Sequence, residues 1–185
     1  MKNDLRNKKS NSEKDNYPAK ICDEKNKECF IMNEQAQAYW NNYWENLGKN
    51  APENVTAEQW GWEGTPMADE LADLILAEIK TGSCSAYDEW VHYGIEPMDK
   101  IGSYTVVLNR FPQPVGIVKY TNMTILPMNE VTPEMAATEG EGDLSYDYWY
   151  NAHVTFFTEL MPEIGKEFSP EMLLVYEQFE LVDKK

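Results

Sequence analysis

Hydrophobic periodicity divides the chain into alternating helical and extended stretches. Between residues 33 and 47, Ala36, Tyr39, Trp40, Tyr43, Trp44 and Leu47 fall on one helical stripe, which Gly48, Asn50 and Pro52 end. Thr56 and Gln59 have the spacing of a capping box and predict a short helical turn. A second amphipathic helix opens with Thr65 at the N-cap and Pro66 at the first helical position. Along it Met67, Leu71, Leu74, Ile75 and Ile79 recur at helical spacing, and it runs out near Lys80, where Thr81, Gly82, Ser83 and Ser85 break the period. Gly82 supplies backbone freedom for a turn into a strand. Residues 100–108 and 115–126 are β-branched and aromatic-rich and predict strands. Thr132 and Pro133 start a short helix that gives way to the loop 139–143; Asp143 or Ser145 then caps a helix reaching about Leu160. The face of that helix is Tyr148, Trp149, Ala152, His153, Phe156 and Phe157, and a strand over 172–182 closes the chain. Helices and strands interleave without a regular βαβ rhythm, which predicts an α+β fold around a small mixed barrel or sheet.

Composition adds a boundary and a constraint. The 185 residues are 42% apolar and 12% aromatic, enough for one folded domain with a real core. Residues 1–29 are polar and carry no hydrophobic period, so they are expected to form a disordered tail ahead of a single domain at 30–185. The formal net charge is -16. Residues 1–28 hold eight Lys or Arg and six Asp or Glu, a net of +2, which leaves the remainder, with eight basic and 26 acidic residues, at -18. Such a surface repels a phosphate backbone at long range, although a local basic cleft remains compatible with it. No apolar run approaches the roughly 20 residues of a membrane helix, and the N-terminus lacks the apolar core of a secretory signal. Cys22, Cys29 and Cys84 are odd in number and lack metal-type spacing, as in a reduced cytoplasmic protein.

Few residue patterns carry chemistry. Glu139, Glu141 and Asp143 alternate with Gly140 and Gly142, but not at EF-hand spacing, and acids ahead of a helix already satisfy its positive end. No metal site and no cofactor is expected. His92 and His153 are the only histidines, and His153, on an aromatic helix face, reads as a satisfied core histidine. Cys84 reads as a small buried hydrophobe rather than a nucleophile. Trp60 and Trp62 either close the core or line a pocket for a flat ring. Lys80 is either the ordinary cation of a helix C-terminus or an amine projected into a cleft. In a partly dry cleft its pKa would fall toward ~7–8 and it would serve as a general base for a hydroxyl three residues on, with a carboxylate orienting the amine.

The segments LADLILAEIKT at 71–81, IGSYTVVL at 101–108, EGEGDLSYDYW at 139–149 with His153, Phe156 and Phe157, and MLLVYEQFELV at 172–182 resemble the ASCH domain family, most closely its larger bacterial branch of the YhfF type. The resemblance covers roughly residues 35–182. It implies a small PUA-like β-barrel with flanking helices and a cleft that holds a small nucleoside-like ligand or short RNA. The family's Gly-x-Lys signature with following hydroxyls falls on Glu78, Lys80, Thr81, Ser83 and Ser85, with Glu78 where Gly is usual and Ser85 where many members have Arg. Members that act as amidohydrolases on acylated cytidine imply Lys80, Ser83 and Glu139 as the catalytic set; Trp60, Trp62, Thr81, Ser85 and Ser145 are the implied ligand contacts. A non-catalytic RNA-binding module or a ribonuclease is the alternative that the same resemblance implies.

Overall fold

The structure, a computed structural model, describes residues 32–185; the expected polar tail lies outside the described residues. The expected α+β fold is present, built on one five-stranded sheet with five α-helices around it. Strands β1 (Val55–Gln59), β2 (Gly82–Ala86), β3 (Tyr104–Leu108), β4 (Pro114–Pro127) and β5 (Leu173–Lys184) lie in the order β1-β3-β4-β5-β2. Only β1 and β3 pair in parallel. β1 and β2 remain at opposite edges, so the PUA-like barrel is an open half-barrel. The long strands β4 and β5 form its spine, and register shifts near Ile117 and Tyr120 bend them.

Alternation along the strands sorts the core onto two faces. Val107, Val118, Tyr120, Val175 and Phe179 share one face with Leu71, Ala72 and Ile75 of α2 (Pro66–Leu76) and with Trp90 of α3 (Tyr87–His92). On the other face, Val106 and Ile117 pack on Trp40 and Trp44 of α1 (Glu34–Asn46). Leu174 and Tyr176, also on that side, pack on Trp149, Phe157 and Leu160 of α5 (Tyr146–Leu160) and on Ala136 of α4 (Pro133–Ala137). Asn33, Thr132 and Ser145 cap α1, α4 and α5, each accepting a backbone N–H three residues on.

Three local expectations are corrected. Residues 55–59 are a strand, not a helical turn: Thr56 Oγ1 bonds Thr105 Oγ1 across the parallel pair at 2.7 Å instead of capping. Thr65 starts α2 but its hydroxyl donates to the Trp62 carbonyl and caps nothing. Finally, α2 stops at Leu76, short of Lys80. The amides of Ile79 and Lys80 both bond back to the Leu74 carbonyl, at 2.9 and 3.1 Å, across a residue, Glu78, with φ +57°. That left-handed conformation is one that Gly adopts without steric cost, and the turn leaves Ile79 exposed rather than on the core face. Glu78→Gly is expected to stabilise the fold by up to about 1 kcal/mol, the relief of left-handed strain less the added freedom of the unfolded chain. A raised urea midpoint would register it; a lowered one would mean that Glu78 contributes contacts of its own.

Candidate functional site

The first half of α2, the turn after that helix, the edge strand β2 and the loop before α5 meet around a cavity of about 260 Å³. Lys80 enters it from the turn, not from the helix. Gly140, at φ +76°, lets the acidic loop come close: a Cβ there would stand 3.0 Å from the Lys80 amide nitrogen. Glu139 and Glu141, on either side of that glycine, consequently converge on one amine. Lys80 Nζ donates to Glu139 Oε2 at 2.9 Å and to Glu141 Oε1 at 3.0 Å, with a longer bond of 3.5 Å to the Glu139 carbonyl.

Lys80 and Glu139 are 2% and 3% exposed. Burial works to discharge the lysine, but the two carboxylates outweigh it and raise the pKa above the ordinary lysine value. Lys80 is thus an ammonium, and the expectation of a lowered pKa and a general-base role is corrected. Burial likewise opposes charge on Glu139, yet Lys80, His153 and the Trp149 indole hold it well below the usual carboxylate range. Trp149 Nε1 donates to Glu139 Oε1 at 2.8 Å. His153 is half-buried on the aromatic face of α5, and it is also a partner of the site. Its Nδ1 lies 2.9 Å from the Trp149 carbonyl, which can only accept, so Nδ1 carries a proton. Its Nε2 is 3.4 Å from Glu139 Oε1. Desolvation pulls the imidazole down, and Glu139 more than restores it, so the pKa is raised.

The other expected residues divide. Ser83 and Ser85 line the cavity from β2. Among the described residues Ser83 has no hydrogen bond to Lys80, whereas Ser85 Oγ donates to Glu177 Oε1 at 2.7 Å and accepts from Trp90 Nε1 at 2.8 Å. Trp60 forms a wall, edge-on to Phe179 at 4.7 Å. Trp62 packs against Phe156 at 5.3 Å and does not line the cavity. Thr81 is exposed and engaged through its backbone, which pairs with Thr138 and Phe179. Ser145 is the α5 cap and lines a minor cleft that adjoins the main cavity at Glu139 and Glu141, but not the main cavity itself.

Sequence reasoning missed Glu177, Glu58, Glu89 and Lys100, which line the same cavity. Burial is the main force that raises Glu177 and Glu89 to about 7. Lys100 Nζ sits 3.6 Å from Glu58 Oε1. The lining holds five glutamates, of which Glu89 and Glu177 are half-ionised near neutrality, against Lys80, Lys100 and His153, each of which already faces a carboxylate. The local basic cleft that the sequence left open is absent here; the cavity is acidic.

An open mixed half-barrel with a cavity against its edge strand and the buried Lys80–Glu139 pair in the cavity wall is an α+β architecture of the PUA-like class. The chain matches the ASCH domain model over residues 58–183 and belongs to the ASCH domain family. Its fold is similar to that of an ASCH domain from Lactobacillus crispatus JV V101, with 34% identity, a TM-score of 0.74, and coverage of 82% of this chain and 96% of that one. It is also similar to a protein from Enterococcus faecalis V583 assigned to the DUF984 family, at 31% identity and TM-score 0.70, covering 81% and 89%. No functionally curated protein matches. Among the described residues no helix is long and apolar enough to cross a membrane.

Proposed function

We propose that the cavity binds an uncharged nucleoside-type heterocycle and hydrolyses an amide carried on it, as on an acylated cytidine. The charge census carries this reading. A phosphate would meet Glu58, Glu139 and Glu141 with two further half-ionised glutamates, while Lys80, Lys100 and His153 already face carboxylates, which disfavours RNA backbone contacts and leaves a neutral ring unpenalised. Trp60, Trp90, Tyr120 and Phe156 offer apolar and stacking surface for such a ring. Lys80 then acts as a donor. Its 3.5 Å bond to the Glu139 carbonyl is the weak one of its three, and an amide oxygen of the ligand can take its place. There the ammonium would stabilise negative charge developing on that oxygen. Ser83, half-buried on the cavity wall, is the candidate nucleophile.

Wild type and Ser83→Ala should be compared on a panel of acylated cytidines and for binding of cytidine and of mixed single-stranded RNA. We expect release of the acid and cytidine by wild type, loss of turnover in Ser83→Ala with binding retained, and RNA affinity no tighter than the roughly 10⁻⁴–10⁻⁶ M of non-specific contact. A wild type that neither binds nor cleaves any nucleoside of the panel would refute the reading.

A further inference from the structure

With Lys80 fixed as an ammonium, nucleophilic attack by Ser83 lacks a base. We propose that Glu177 is that base, taking the proton of the Ser83 hydroxyl; the role rests on the amide-hydrolase reading above.

The sheet register places the two residues together. Ser83 and Glu177 are direct partners in the antiparallel β2–β5 pair. Side chains of directly opposed residues share one face of the sheet, with Cβ atoms roughly 4.5–5.5 Å apart, within reach of a glutamate carboxyl. Both line the cavity, and Glu177 is 8% exposed. Its Oε1 is held by Ser85 Oγ, which the Trp90 indole N–H holds in turn. Among the described residues its Oε2 has no hydrogen bond, so one carboxyl oxygen is anchored and the other is left to exchange a proton. Orientation by a hydroxyl anchored to an indole is the kind of support that a working base needs.

The surroundings set a suitable proton affinity. Facing Glu177 are Glu58 from β1, Lys100 from the 3-10 turn Pro97–Lys100, Tyr120 from β4, Cys84 on β2 and Glu139 from the loop; Glu89 of α3 lines the same cavity. Burial raises the carboxyl, the Ser85 bond lowers it, Glu58 raises it again and Lys100 opposes, leaving it at about 7. A base poised there is half-ionised at neutral pH and binds the proton strongly enough to draw it from a hydroxyl.

Each step balances. Ser83 Oγ bonds to the amide carbon as its proton passes to Glu177 and charge collects on the oxygen facing Lys80. Glu177 returns the proton to the amine nitrogen as the C–N bond breaks. Water then attacks the acyl-serine, giving its proton to Glu177, which passes it to Ser83 Oγ as the ester bond breaks. The products are one carboxylic acid, one amine and the enzyme unchanged.

The decisive experiment is acylation of the full-length protein by p-nitrophenyl acetate, read as p-nitrophenolate release and as mass added on Ser83, from pH 5 to 9. It is run alongside turnover of acylated cytidines. In wild type the Ser83 acylation rate should rise through about pH 7 and level off. In Glu177→Gln it should fall by about 10²–10⁴-fold and lose that inflection. Thermal unfolding of Glu177→Gln establishes that it is folded, and Ser83→Ala sets the background. Unchanged acylation in Glu177→Gln, or no adduct on Ser83 in wild type, overturns the assignment. Glu177-dependent acylation of Ser83 with no turnover of any acylated cytidine supports the base and sinks only the nucleoside reading.

Discussion

Replacing Lys80 by Met is expected to destabilise the protein by about 3–5 kcal/mol, the usual cost of leaving one member of a buried ion pair without the other. The stem of Met fills the same channel, so packing is not the cause. What remains is the Glu139 carboxylate, 3% exposed, with Glu141 drawn toward the same point and neighbours such as His153 and Trp149 left to offset its charge. Glu139 is at present held well below the carboxylate range, with Lys80 the foremost opponent of its burial. Without the amine its pKa climbs, and the folded state keeps a proton that the unfolded state releases. The deficit of the variant is therefore expected to shrink as pH falls toward 4–5, where both states of Glu139 are increasingly protonated. The double variant Lys80→Met with Glu139→Gln should recover most of the loss, since Gln still accepts the indole N–H and carries no charge. Urea unfolding of wild type, Lys80→Met, Glu139→Gln and the double variant gives the coupling energy. A single Lys80→Met variant within about 1 kcal/mol of wild type would mean that the pair is solvated in solution.

The charged state of Lys80 marks the limit of what local sequence reveals. The spacing of Lys80 and Ser83 made both candidates, and the acidic loop at 139–143 was visible as a charge run. The chain does not announce that Gly140 packs against the Ile79–Lys80 backbone and so delivers two carboxylates to one amine, because that contact spans some 60 residues. The same nonlocality hid β1. Its sequence, VTAEQ, alternates over only four residues and overlaps the capping-box spacing of Thr56 and Gln59, and every residue in it is half-buried; pairing with β3, 49 positions away, makes it a strand. By contrast α1, α4, α5, β4 and β5 carry their own periodicity or caps and were legible almost to their ends. Glu177 was discoverable in principle. Along 172–182 the residues Val175, Glu177 and Phe179 alternate onto one face, and a carboxyl between two core positions is the type of local conflict that marks functional sites.

That conflict leads to the second large effect, a stability gain. Glu177→Gln is expected to make the protein more stable above neutral pH, by roughly 2–4 kcal/mol, from a carboxyl raised from an ordinary 4.5 to about 7 and the ~1.4 kcal/mol that each pKa unit represents. The sign follows from proton binding. Between pH 4.5 and about 7 the folded state holds a proton on Glu177 that the unfolded state has released, so raising the pH across this window costs stability, and above it the penalty is complete. Gln keeps the Ser85 hydrogen bond and never ionises. Wild type and variant should therefore unfold alike near pH 4 and diverge through neutrality, the variant melting higher at pH 8. Glu89, raised to about 7 mainly by burial, contributes in the same window and in the same sense, so the wild-type decline should be steeper than one group gives and only partly removed in Glu177→Gln. Melting curves from pH 4 to 9 read this without any substrate. Equal melting temperatures at pH 8 would show Glu177 to be ordinarily solvated, whereas a variant that gains stability there and loses acylation of Ser83 shows what the fold gives up to keep this carboxyl in the cavity.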